Sequence, residues 1–186
     1  VKTIRYNSDD EKQTESEYSY DQYGNNNKIV DYKFIDDERI EYNKVSMTYD
    51  TNNRLSTYKV NDSSTTLYIY NAENQITRMV YPQEVSNNKG IKALEYKYND
   101  YEQLLSITAE LVSGRKVVIK EYKYDVFGNT IKEVSNSTNY DGTTLVLTKT
   151  STYDILNRLL EFKYSNNLNS NIEQHSYTYD KNSNIL

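Results

Sequence analysis

Apolar and polar residues alternate with a period of two along most of this 186-residue chain, and Thr, Val, Ile and Tyr fill the alternating positions. That pattern predicts half-buried strands; no long window shows the i, i+3, i+4 recurrence of an amphipathic helix. In Tyr122-Lys123-Tyr124 the two rings share one strand face and Lys123 points the other way. Equivalent middle residues elsewhere are Ser19, Thr48, Ile69, Lys97, Thr152 and Thr178, all but Ile69 polar. One face is therefore aromatic and the other wet, as in an antiparallel sheet packed on one side. The predicted strands are 14–21, 28–35, 39–49, 54–60, 64–70, 75–82, 91–98, 103–112, 115–124, 130–138, 143–153, 158–165 and 172–179. Residues 1–6 read as the trailing strand of an earlier repeat and Ile185-Leu186 as the start of one cut short, so the chain reads as an excerpt of a longer array. Helix is expected in less than about a tenth of the residues.

Turn chemistry punctuates the strands. After each Tyr-Asp or Tyr-Asn comes a turn such as Gln22-Tyr-Gly-Asn25, Thr51-Asn-Asn-Arg54, Ala72-Glu-Asn-Gln75, Val126-Phe-Gly-Asn129 or Ile155-Leu-Asn-Arg158. The leading Asx can bond the backbone two residues on, and the Gly or Asn near the end tolerates positive φ. An apolar residue opens most second strands (Leu55, Ile76, Leu104, Leu159, Ile185), with a second column at Tyr58, Met79, Ile107 and Phe162. The fifth unit reads as slipped by one, to Ile131 and Val134, and the first as looser, with Asn25-Asn26-Asn27 before Ile29. The returns are short: Asp36-Asp37, Asn61-Asp62, Ser113-Gly114 and Asp141-Gly142, the last a strong hairpin signal. Pro82 is expected at a strand end, where its missing N–H matters least.

Internal repetition organises all of this. The second tyrosines fall at 20, 49, 70, 98, 124, 153 and 179, a spacing of 21 to 29 residues. A period of roughly 20–50 residues marks a repeat architecture. The expected fold is all-β, an antiparallel hairpin meander, single-layer or partly curled, with about two strands per unit and residues 1–186 forming one array.

Composition alters the picture at one point. Leu, Ile, Val and Phe are sparse, near the ~20% level at which disorder becomes an option, but the chain has 21 tyrosines. Each ring can remove on the order of 150–250 Å² from water, so the core is expected to be largely tyrosine. The net charge of −5 is spread without a basic run, which argues against nucleic acid. No apolar run reaches the ~18 residues of a membrane span. The chain has no cysteine, which removes disulfides, thiolate metal sites and thiol nucleophiles.

Tyr18-Ser-Tyr20-Asp21, Tyr122-Lys-Tyr124-Asp125 and Tyr177-Thr-Tyr179-Asp180 match closely; Tyr68-Ile-Tyr70-Asn71 and Tyr96-Lys-Tyr98-Asn99 carry Asn; Met47-Thr-Tyr49-Asp50 and Ser151-Thr-Tyr153-Asp154 keep the second half. With Gly24 and Gly128 closing two of the turns, the pattern resembles the YD repeat of the bacterial RHS/YD family across nearly the whole chain. Its fourth copy departs most, with Glu102 where Gly or Asn is usual. The resemblance implies an extracellular or cell-surface bacterial protein whose hairpins form a continuous ribbon. It also implies two roles: a surface module of the lipoprotein kind contacting carbohydrate or another protein, or part of a toxin-enclosing shell.

Candidate chemistry is thin. The Tyr-Asp pairs are expected to specify the repeat unit. His175 has no nucleophile elbow to serve and reads as a strand residue. The runs Asp9-Asp10-Glu11 and Asp36-Asp37-Glu38 read as solvated turns rather than paired catalytic carboxylates. Five glycines cannot build calcium loops. No catalysis and no cofactor are expected. Tyrosine clusters could stack on sugar faces, and unpaired edges near 1–6 and 176–186 invite self-association.

Overall fold

The computed structural model describes residues 1–61, 63, 65–138 and 143–186. It is an all-β meander of fourteen antiparallel strands in sequence order. The strands are β1 (Lys2–Tyr6), β2 (Lys12–Tyr20), β3 (Asn26–Ile35), β4 (Glu38–Tyr49), β5 (Leu55–Val60), β6 (Thr66–Tyr70), β7 (Ile76–Val80), β8 (Ile91–Tyr98), β9 (Leu104–Leu111), β10 (Lys116–Tyr124), β11 (Thr130–Thr138), β12 (Thr144–Tyr153), β13 (Leu159–Asn166) and β14 (Glu173–Ser176). The hairpin expected at Asp141-Gly142 lies outside the described residues, as does Asp62 of the Asn61-Asp62 return.

One element departs from the expected pattern. The link between β7 and β8 is a short helix, α1 (Gln83–Lys89), with Pro82 at its N-cap and Gly90 in the left-handed region at its C-cap. The Gly90 N–H donates to the Ser86 carbonyl across 2.7 Å. Pro82 therefore starts a helix, where its missing N–H would be an orphan in any case.

Every hairpin that carries a Tyr-Asx turn and has a described register contains the same irregularity. Ser19 pairs with Lys28 but Tyr20 with Asn26, leaving Asn27 unpaired. The same one-residue bulge follows Tyr49↔Leu55, Tyr70↔Ile76, Tyr124↔Thr130 and Tyr153↔Leu159. The second tyrosine always pairs with the residue six positions on. The fifth unit is therefore not slipped: Thr130 holds the paired place and Ile131 the bulge. Nor is the first unit looser, because Asn26 holds that place.

The strands cluster into two compact units, one of Val1–Ala93 with Leu111–Ser113 and one of Leu94–Glu110 with Gly114–Leu186. In the first, Val30, Val45 and Ala93 are buried, together with the carboxylate of Glu15. Lys2 Nζ lies 2.7 Å from Glu15, and Arg39 bonds both Glu15 and Glu17 while its guanidinium lies 3.3 Å from the centre of the Tyr32 ring. A buried charge is tolerated when paired in this way, and the bond from Lys2 holds the Glu15 carboxyl below its ordinary range. In the second unit Ala109, Glu110 and Ser151 are buried.

Candidate functional site

The Tyr-Asx turns are built alike from their residues upward. In the first, the Asp21 N–H donates to the Asn25 carbonyl and the Gly24 N–H to the Asp21 carbonyl. Asp21 Oδ1 accepts from the N–H groups of Tyr23 and Asn25, and Oδ2 accepts from Asn25 Nδ2. The same two backbone bonds recur at Asp50, Asn71, Asn99, Asp125, Asp154 and Asp180. The fourth residue of each turn has positive φ, at Gly24, Asn53, Asn74, Glu102, Gly128, Asn157 and Ser183. An eighth turn of this geometry, Asn7 to Glu11 with Asp10 at φ 58°, joins β1 to β2. The sequence hides it because Ile4-Arg5-Tyr6-Asn7 keeps only half of the motif and Asp10 stands where the other half-motif turns have Asn53 and Asn157.

The first and fifth positions of the turn choose each other. Where Asp leads, the fifth residue is a donor: Asn25, Arg54, Asn129, Arg158 or Asn184. Where Asn leads, the fifth residue accepts: Gln75 and Gln103 Oε1 accept from the Asn71 and Asn99 amides at 2.9 and 2.8 Å, and Glu11 Oε2 accepts from Asn7 Nδ2. This pairing is visible in the sequence as a correlation at i, i+4. The lead carboxyls sit below their ordinary range: Asp21, Asp50, Asp125 and Asp180 chiefly through the fifth residue's side chain, Asp154 chiefly through the backbone N–H of Arg158.

Successive turns are stitched by that same fifth side chain. Asn25 donates to Asn53; Arg54 Nη1 donates to the Asn71 carbonyl and to Asn74 Oδ1, both at 2.9 Å. Asn129 reaches Asn157 at 2.9 Å, and Arg158 reaches the Asp180 carbonyl at 3.3 Å. The guanidiniums of Arg54 and Arg158 also lie 4.6 and 4.5 Å from the ring centres of Tyr70 and Tyr179.

The tyrosines form a second ladder. The hydroxyls of Tyr49, Tyr70, Tyr124, Tyr153 and Tyr179 donate to the carbonyls of Asn26, Leu55, Leu104, Thr130 and Leu159, each six residues beyond the preceding unit's second tyrosine. Burial pushes the phenols of Tyr70, Tyr98 and Tyr124 up. Tyr20, in the first unit, is 48% exposed. Of the leading tyrosines, Tyr18 pairs with Ile29, Tyr68 with Met79 and Tyr122 with Glu133; Tyr96 is half-buried in β8, and Tyr177 lies 6.3 Å from the Phe162 ring. Within each compact unit the structure thus brings together the aromatic and Asx residues of neighbouring repeats.

The turns hold out apolar tips. Tyr101, Val126 and Ile155 are 84%, 94% and 88% exposed, and Tyr23, Phe127 and Leu156 are also exposed. A groove of about 870 Å³ runs beside Tyr101 and Phe127, lined also by Asn99, Gln103, Tyr124 and Asp125. A second, of about 700 Å³, lies between Tyr23 and Tyr49, with Asp50, Thr51 and Asn53. Rigid turns carrying exposed rings beside amides and carboxylates offer both stacking surfaces and hydrogen-bonding groups.

His175 sits on β14 opposite Phe162, its ring stacked at 4.8 Å and its Nε2 2.7 Å from Glu173. Among the described residues no cluster of His, Cys, Asp or Glu could hold a metal ion, and no helix is long and apolar enough to cross a membrane.

No protein-family model and no curated protein matches the chain. Solved structures do. The chain is similar to a crystal structure of TcdB2-TccC3-Cdc42, with a TM-score of 0.70 at 15% identity over 97% of this chain. It is also similar to the Photorhabdus luminescens Tc holotoxin pore, with a TM-score of 0.73 at 16% identity over 100% of this chain. In both cases the chain spans 10% of the matched chain. At such identities the likeness is one of fold.

Proposed function

We propose that this chain is a non-catalytic repeat scaffold of the RHS/YD kind, displayed outside a bacterial cell, which holds carbohydrate or another protein along its turn margin. The observation that carries the reading is the set of exposed tips, Tyr23, Tyr101, Phe127 and Leu156, on turns locked by their own Asx residues. Exposed apolar groups held this rigidly favour binding, because little side-chain or loop freedom is lost on contact. The turn carboxylates are occupied as hydrogen-bond acceptors, which suits structure better than proton transfer. A glycan array with the intact chain and with Tyr101→Ser and Phe127→Ser tests the carbohydrate arm. Selective retention that both variants weaken supports it; retention indifferent to both would move binding elsewhere.

A second reading has its own support. The likeness to the Tc holotoxin structure fits a segment of an encapsulating shell, and the chain spans a small part of that neighbour. Electron microscopy of the protein encoded by the whole gene decides it: a closed hollow particle supports the shell, an open sheet the surface module.

A further inference from the structure

Just inside the turn margin, where Thr130 follows one turn and Tyr153 precedes the next, a smaller cavity of about 220 Å³ opens on the tyrosine-bearing face of the second unit, lined by Tyr122, Thr130, Glu133, Lys149, Ser151 and Tyr153. Strand register builds it. Tyr122 pairs with Glu133 across β10 and β11, Glu133 pairs with Lys149 across β11 and β12, and Ser151 and Tyr153 follow Lys149 at two-residue steps on the same face. Drug-sized sites run to roughly 300–1,000 Å³, so this one suits a single six-membered ring.

Its charges are unequal. Glu133 Oε1 is held by Lys120 Nζ at 2.6 Å, and the two neutralise one another. Lys149 has no carboxylate partner among the described residues. Its ammonium lies 5.2 Å from the centre of the Phe162 ring and 5.7 Å from that of Tyr164, contacts that leave its N–H donors free. Ser151 is only 7% exposed, so a hydroxyl lines a largely buried floor. The Tyr153 hydroxyl is tied to the Thr130 carbonyl at 3.3 Å, which fixes one wall.

We propose that this cavity binds an acidic sugar residue of the uronic-acid class. The ring lies against Tyr122 and Tyr153, the carboxylate meets Lys149, and the sugar hydroxyls meet Ser151 and the free Oε2 of Glu133. A neutral sugar leaves Lys149 without a counter-charge, and a cationic one meets it with like charge. Selectivity therefore rests on Lys149 and affinity on the rings. The proposal rests on the carbohydrate arm of the function given above.

Titration calorimetry of the whole chain with oligogalacturonate and with a neutral galactan of equal length tests it. The acidic oligomer is expected to bind more tightly than the neutral one and to weaken as salt rises. Lys149→Met should weaken it at least tenfold, Lys149→Arg should restore most of the loss, and Lys116→Met, remote and paired with Glu95, should change nothing. Circular dichroism checks that each variant is folded. Acidic binding that survives Lys149→Met, or preference for the neutral oligomer, overturns this site and leaves the scaffold reading standing. Neither oligomer bound overturns the site alone; an empty glycan array overturns the carbohydrate arm with it.

Discussion

The Tyr124 hydroxyl donates across 2.8 Å to the carbonyl of Leu104, which lies six residues beyond Tyr98. A phenol at the end of β10 thus closes a hydrogen bond to the start of the neighbouring β9, tying one unit to its predecessor. Tyr124→Phe keeps the ring and loses the bond, at about 0.5–1.5 kcal/mol. Tyr124→Ala loses both. Full burial would put that at about 3–5 kcal/mol, and half-burial places it toward the low end. Asp125→Ala in the same unit is expected to cost less than Tyr124→Ala. Denaturant midpoints in the opposite order would show that the turn outweighs the ladder.

Asn26 stands where other units have Leu55, Leu104 or Leu159, and its Oδ1 is buried without a hydrogen-bond partner. An unmet buried acceptor costs about 1–3 kcal/mol. Asn26→Leu keeps the backbone carbonyl that Tyr49 uses and should raise stability by about 1–2 kcal/mol. A lowered melting temperature would mean that the side chain has a partner in solution.

Glu102 adopts φ 63° in the turn led by Asn99, at a place where glycine or asparagine stands in five of the other seven turns. A side chain there is strained by about 1–2 kcal/mol, and part of that gain is offset when glycine loosens the unfolded chain. Glu102→Asn should therefore stabilise by up to about 1 kcal/mol, with Glu102→Gly a little less. Thermal melts of both variants measure it, and a fall in both would contradict the strain.

Acid should unfold the protein through its turns. Asp21, Asp50, Asp125, Asp154 and Asp180 all have carboxyls depressed in the folded state. Such groups contribute stability above the unfolded aspartate value of about 3.9, and it is lost as pH falls through that value and the lower folded ones. Melting temperature should be flat above about pH 5 and drop steeply below about pH 4. The double change Asp50→Asn with Arg54→Gln recreates the Asn71–Gln75 pair. It should lower stability near neutrality, because the Arg54 bonds to Asn71 and Asn74 are lost, yet make the acid limb shallower; an unaltered limb would show that this turn is not part of it.

Both end strands, β1 and β14, are paired on one side and largely exposed. Free N–H and C=O groups on such edges recruit further strands. Light scattering over a concentration series should show growing mass, with partial suppression by a proline placed at Ile4, whose N–H points away from β2 because the Val1–Tyr18 pair exchanges both hydrogen bonds. A monomer at every concentration would count against edge pairing.

Much of this was legible in the chain itself. Alternation and turn residues are local signals, so the strands emerge within a residue or two of their expected bounds at most ends. Helix α1 was not legible: Gln83–Lys89 has no apolar periodicity, and Pro82 suits a strand end as well as a helix start. The apparent slip at Ile131 misled because the place six beyond the tyrosine offers its carbonyl, so Thr130 serves as well as Leu55. The cavity around Lys149 depends on cross-strand register, which no single segment encodes.

Spacing between second tyrosines runs 29 then 21 residues from Tyr20 through Tyr49 to Tyr70, and 26, 29 and 26 from Tyr98 to Tyr179. Each phenol nonetheless reaches the same place in the unit before it. Among the described residues, variation in length is taken up at the opposite ends of the strands, where a bare Asp36-Asp37 turn serves in one repeat and a whole helix in another. One margin of the sheet keeps count and the other keeps none. Foreign peptide spliced between Asp36 and Asp37 should ride on the molecule without disturbing the stitched side, so the uncounted margin is where such an array can gain new parts.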